Sequence, residues 1–195
     1  MNTPSNPYRE QLQLLMRVLP TVMAERCFAL KGGTAINLFY RDLPRYSVDI
    51  DLTYVPVGSY ADACREIDAA LRRIATRRAR GSPSFAVALG NRNASGLIDT
   101  LSVEGGAVEV KIETNAVLRG AVHPVLERVV RPVVQNEFGF ASANLLSPED
   151  VYAGKLVAAL DRQHPRDLFD VKLLFDAGEL SDAMFRTFLV YLVGH

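Results

Sequence analysis

Two short runs constrain this chain more than any other feature: Lys31-Gly32-Gly33-Thr34, and Val48-Asp49-Ile50-Asp51-Leu52-Thr53-Tyr54. The second run alternates apolar and polar residues, the pattern of a half-buried strand. Residues two apart on a strand share a face, so Asp49 and Asp51 are expected to present their carboxylates side by side. Like charges that close repel one another unless a cation sits between them. Mg2+ suits such a place, because it binds one or two protein carboxylates and leaves positions for substrate phosphates. The Gly-Gly-Thr turn opens a helix just ahead of that strand. Backbone N–H groups at such a turn, uncrowded by side chains, can receive phosphate oxygens. Either run alone could be a solvated strand face or a helix cap. In this order, across a short helix and loop, they point to a phosphate cradle beside a metal site.

The rest of the chain supplies elements to carry them. Leu12, Leu15, Met16 and Leu19 recur at helical spacing, predicting an amphipathic helix over Arg9–Ala24, interrupted near Pro20. Cys27–Leu30 is a short apolar segment, and Thr34–Tyr40 reads as a helix. Ser59–Arg80 is a second long helix, with Ile67, Leu71 and Ile74 on one face. Three alternating segments follow, Phe85–Leu89, Gly96–Val103 and Ala107–Thr114, separated by Gly90-Asn91 and Glu104-Gly105-Gly106, both turn signals for antiparallel hairpins. Residues 115–146 have no clean period. Ser147-Pro148-Glu149-Asp150 is a helix start running to about Leu160. Another helix spans Arg166–Asp176, closed by Gly178, and a last one begins near Ser181. That helix is still apolar where the chain stops at His195, which reads as a truncated helical portion.

Phosphoryl transfer with two metals needs a third acid, since one group must take the proton from the attacking hydroxyl. The segment Ala107–Thr114 offers Glu109, Lys111 and Glu113 on one face. Glu113 is the preferred third carboxylate and metal ligand, with Glu109 in reserve. Lys155 sits in an otherwise apolar helix, where a buried ammonium needs a partner, and a triphosphate would supply one. Asp167 and Asp170 lie three apart on one helix face. Asp167 is assigned to the site with Lys155. Asp170, with Arg162 and Arg166, is assigned to salt bridges between helices.

The 195 residues carry 22 basic and 22 acidic side chains, so bulk charge gives no sign of nucleic acid and any basic surface must be local. One is available: Arg65, Arg72, Arg73, Arg77, Arg78 and Arg80 crowd a single predicted helix. Arg72, Arg73 and Arg77 are the candidates for RNA phosphates, the solvated-face reading weighing equally. Cys27 and Cys64 are isolated, which suggests neither a disulfide framework nor a zinc site and fits buried thiols in a reducing compartment. His123, His164 and His195 have no ligand-like company. With no signal-like start and no run long enough for a bilayer, the expected location is the cytoplasm.

The segment LKGGTAINLFYRDLPRYSVDIDLTY resembles the nucleotide-binding signature of AbiEii/AbiGii-type nucleotidyltransferase toxins, members of the DNA polymerase β-like superfamily related to MenT-type toxins. VYAGKLVAALDRQHPRDLFDVKLLFD resembles that family's C-terminal motif. The similarity runs from about Cys27 to the end of the chain. It implies an α+β fold: a polymerase β-like core with a mixed sheet flanked by helices over residues 1–145, then a helical portion over 146–195. It implies nucleotide transfer from an NTP with Mg2+, in a toxin opposed by a cognate antitoxin, several relatives acting on the acceptor end of tRNA. Matched residue by residue, Lys31, Gly32, Gly33, Thr34 and Lys155 would hold the nucleotide. Asp49, Asp51 and Glu113 would hold metal, and Lys155 and Asp167 would match the Lys and Arg-Asp elements of the later motif. An acceptor that is a small molecule or a protein hydroxyl, or an inactive domain that only binds antitoxin or RNA, are the alternatives.

Overall fold

Asn6 accepts the Tyr8 N–H and Pro7 occupies the first turn, and together they start α1 (Pro7–Met23). The computed structural model describes residues 6–81, 86–90 and 96–194, apart from the side chains of 78–81. Contrary to expectation, α1 passes through Pro20 without interruption. Proline removes one N–H and crowds the turn before it, but here it sits in the last turn, between buried Leu19 and Val22, whose packing holds the helix on line.

Seven strands form one mixed sheet in the order β3-β4-β5-β2-β1-β7-β6. They are β1 (Phe28–Leu30), β2 (Ile50–Tyr54), β3 (Ala86–Leu89), β4 (Thr100–Gly105), β5 (Val108–Asn115), β6 (Leu126–Val129) and β7 (Ser142–Leu145). β2 runs antiparallel to β1 and parallel to β5, while β1 runs parallel to β7. The expected hairpin at Glu104-Gly105-Gly106 is present: β4 and β5 pair from Thr100↔Glu113 to Gly105↔Val108, with Gly106 at φ +66° in the turn. β3 pairs antiparallel with β4, as the turn at Gly90 suggested. Phe85, Asn91 and the side chains of Arg78 and Arg80 lie outside the described residues. Residues 115–146, without a clear period in sequence, hold β6, a short helix α4 (Pro132–Phe138) and β7.

Alternation along β2 and β5 buries Ile50, Leu52, Val110 and Ile112 completely. α1 packs against β5 and β7, and α3 (Tyr60–Gly81) against β3 and β4, so these helices seal the apolar side. The acidic positions of the same strands take the opposite side. There α2 (Gly32–Ala35), continued as a π-turn over Ile36–Tyr40, meets α5 (Pro148–Arg162). α6 (Pro165–Asp176) and α7 (Asp182–Gly194) pack on α5. Among the described residues, no helix is long and apolar enough to cross a membrane.

Candidate active site

Gly32 begins the site because only glycine fits there. Its φ is +70°, and a Cβ at that position would fall against the Asp51 carboxylate. The β1 strand ends one residue earlier, where the Lys31 N–H donates to the Asp51 carbonyl (2.9 Å), fixing the turn against β2. Asn37 donates to the Gly33 carbonyl (2.8 Å) from the π-turn, a device often found beside functional sites. Thr34, expected at the phosphates, has its hydroxyl beneath the turn. It is fully buried, donating to the Asp49 carbonyl (2.6 Å) and standing 3.2 Å from the Ser47 hydroxyl. Only its backbone N–H, at the helix start, remains for an anion.

Asp49 lies one residue before β2 and Asp51 on it. Asp51 pairs in register with Glu113 on the parallel neighbour β5, so strand pairing sets this acid opposite Asp51. Burial pushes the Asp51 carboxyl above its ordinary value, against the pull of Lys31, and Asp49 adds to the rise. Glu113 is raised by burial and then by Asp51 and Asp49. Lys31 is lowered by burial, although Asp51 and Glu113 oppose this. Two carboxyls that burial pushes toward neutrality, Asp51 and Glu113, are where a hard divalent cation would favour the ionised forms. Among the described residues, no three acidic, His or Cys side chains stand at ligating distance from a common point. The reserve candidate, Glu109, lies four residues nearer the hairpin turn, where it accepts from the Ser102 hydroxyl.

The later motif arrives on α5 and α6. Buried Lys155 donates to Asp167 (2.7 Å) and stands 3.2 Å from Asp170. Arg162 donates to the other oxygen of Asp167 (2.7 Å). Burial raises the Asp167 carboxyl, but the bonds from Arg162 and Lys155 win and hold it below the usual range. Asp170 forms salt bridges, as expected, but to Lys155 and to Arg45 of the core. Arg45 and Ser47, unremarkable in the sequence, are the residues that sequence reasoning missed. Pro165 and the His164 ring, which accepts the Arg166 N–H (3.2 Å), start α6.

Two clefts meet at Asp51, Lys155 and Arg162. The smaller, about 150 Å3, is lined by Gly33, Arg45, Asp49, Asp51, Glu113, Lys155, Arg162 and Asp167, among others. The larger, about 320 Å3, adds Lys31 and Gly32 to the more apolar Leu118, Val157, Ala158 and Tyr191. Every expected site residue except Thr34 and the α3 arginines therefore lines one or both of these neighbouring clefts. The α3 arginines have partners in this chain: Arg72 forks onto Asp68 (2.8 and 3.0 Å), while Arg73 and Arg77 clamp buried Glu25 (2.7 and 2.6 Å). Such an arrangement can hold a polyphosphate against a cation and place a carboxylate near an incoming hydroxyl.

The family model for the nucleotidyl transferase AbiEii toxin of a type IV toxin–antitoxin system matches residues 13–195. No curated protein matches the sequence. Among solved structures, the nucleotidyltransferase toxin MenT4 from Mycobacterium tuberculosis H37Rv is similar at 15% identity and a TM-score of 0.69, with 96% of this chain and 65% of MenT4 covered. JHP933 from Helicobacter pylori is similar at 19% identity and a TM-score of 0.52, with 88% of this chain and 67% of JHP933 covered. At these identities the likeness is one of fold, and this chain spans just under two thirds of MenT4.

Proposed function

This chain belongs to the nucleotidyl transferase AbiEii toxin family, and from that membership and its site we propose that it transfers a nucleotide from an NTP, with Mg2+, to the 3′ end of tRNA, blocking translation until a cognate antitoxin opposes it. The observation that carries this reading is the register pair Asp51↔Glu113, with Asp49 beside it and the glycine turn packed on Asp51. Asp49, Asp51 and Glu113 supply the oxygen donors that a hard divalent ion takes. When bound, that ion supplies charge neutralisation at the reacting phosphate. Lys155 and Arg162 face the same hollow and, with Lys31, carry the positive charge to hold the β- and γ-phosphates. Glu113, opposite Asp51 on the neighbouring strand, would act in its ionised form to take the proton from the acceptor hydroxyl as that oxygen attacks the α-phosphorus and pyrophosphate leaves.

A second reading, transfer to a small-molecule or protein hydroxyl, gains from one observation. Arg72, Arg73 and Arg77, which would favour RNA, are already paired with carboxylates of this chain. Those carboxylates offset the positive charge that would draw RNA phosphates, although each arginine side chain is 47% exposed. Transfer of label from each of four α-³²P-NTPs into total cellular RNA, with Mg2+, separates the readings. Label in tRNA-sized RNA, absent with Asp49→Ala, is the expected result. Label in protein or in small molecules alone would replace tRNA as the acceptor, and no transfer with any NTP would overturn the enzymatic proposal.

A further inference from the structure

The Arg45 guanidinium forks onto Asp170, with Nε to Oδ1 at 2.9 Å and Nη2 to Oδ2 at 2.5 Å. Its third nitrogen, Nη1, donates to the Tyr46 carbonyl (3.1 Å). Asp170 is completely buried, and its Oδ2 also lies 3.2 Å from Lys155 Nζ. On its other side Arg45 closes over the glycine turn: a Cβ on Gly33 would come within 2.7 Å of both Arg45 Nη2 and Ser47 Oγ. One side chain thus spans from the turn ahead of Asp49 to the helix that faces Lys155.

Stability alone does not explain this cluster. A buried ion pair can often be replaced by apolar side chains at no cost, because desolvation offsets the attraction. Geometry explains it better. A lysine ammonium rides on a flexible four-carbon stem and has no preferred direction. Two carboxylates, Asp167 and Asp170, are needed to fix where Lys155 Nζ stands, and Asp170 is itself fixed by the planar, bidentate Arg45. Lys155, Arg45 and Arg162 share the two carboxylates of Asp167 and Asp170, and Lys155 and Arg162 line both clefts, where an incoming anion would meet them.

We infer that Arg45 and Asp170 are positioning residues, which act through Lys155 to set the affinity of the site for a polyphosphate that neither of them needs to touch. This rests on the nucleotidyltransfer reading of the site. Simple electrostatics predicts the opposite sign for one variant: Asp170→Asn removes a negative charge and should tighten anion binding. Positioning predicts that it weakens.

The test is calorimetric binding of inorganic tripolyphosphate with Mg2+, paired with KM and kcat for the transferred NTP, in Asp170→Asn and Arg45→Lys. Arg45→Lys keeps every charge and loses only the fork, so it serves if Asp170→Asn fails to fold. We expect Kd and KM to rise about tenfold in both, the scale at which supporting contacts tune a site, with kcat changing far less. In a Lys155→Ala background neither substitution should weaken binding further. Tighter or unchanged binding in the single variants, or losses that add to that of Lys155→Ala, would overturn the inference. If the wild type binds neither tripolyphosphate nor NTP, the nucleotidyltransfer reading fails. The brace is then decided by the rate at which acetic anhydride acetylates Lys155, read by peptide mass. A faster rate in both variants supports it, and equal rates overturn it.

Discussion

Gly32 and Asp51 are in contact so close that each dictates the other. Adding a methyl group at Gly32 would both strain a left-handed backbone and displace the Asp51 carboxylate. Gly32→Ala is therefore expected to abolish nucleotide transfer while the far-ultraviolet circular dichroism stays that of the wild type. Asp49→Ala should also abolish transfer and leave the fold intact. The raised carboxyls of Asp51 and Glu113 carry a sign that can be checked. A carboxyl raised in the folded state costs stability once pH exceeds its folded value, and the cost vanishes as pH falls below the ordinary value. At neutral pH without metal, Asp51→Asn should therefore raise the melting temperature by about 2–4 °C, the shift that about 1 kcal/mol makes at this length. Mg2+ should raise the melting temperature of the wild type more than that of the variant. A variant that melts lower than wild type in metal-free buffer would show that Asp51 is instead held by favourable partners.

Between elements, the clearest tie is Glu25, which follows α1 and is gripped by Arg73 and Arg77 of α3. Burial raises this carboxyl, but the bonds and charge of Arg73 with the charge of Arg77 outweigh it, and it sits below its ordinary 4.5. A depressed carboxyl stabilises fully above its unfolded value, and that contribution drains away as pH falls through the folded one. Glu25→Gln is expected to cost about 2 kcal/mol at neutral pH and much less near pH 3, measured by urea titration at both. An equal cost at the two pH values would remove the charge from the explanation. The helices and hairpin were legible in sequence because local rules govern them: apolar spacing for α1 and α3, a Ser-Pro start for α5, two glycines at the β4–β5 turn. Asp49 and Asp51 were legible for the same reason. The neighbour of Asp51 was not, because β2 and β5 are parallel and their register is set across α3, β3 and β4. Strand pattern put Glu113 ahead of Glu109, and the pairing sets Glu113 opposite Asp51 and Glu109 opposite Glu104. Arg45 left no local signal at all, since its partners Asp170 and Gly33 belong to other segments of the chain.

Across the whole molecule, a second buried acid besides Asp170 ties the C-terminal helices to the rest of the chain. Asp150 accepts from the N–H groups of Val122 (2.8 Å) and His123 (3.0 Å), from the Ser147 hydroxyl (2.9 Å) and from Tyr191 on α7 (3.1 Å). Asp150→Ala should strip four donors of their acceptor at once and destabilise the protein by about 3 kcal/mol. Its loss should also raise proteolysis within α7 before the sheet is attacked, which limited digestion with fragment mass analysis would reveal. Digestion starting in the sheet would place the anchor elsewhere. The division of the site between the two ends of the chain has a further consequence, in the order of manufacture. A ribosome releases Asp49, Asp51 and Glu113 well before Lys155, Asp167 and Asp170, and domains form from the N-terminal side as they emerge. The acids would wait in a nascent sheet without Lys155 and Arg162, so the proposed site is assembled only when α5 and α6 have left the tunnel.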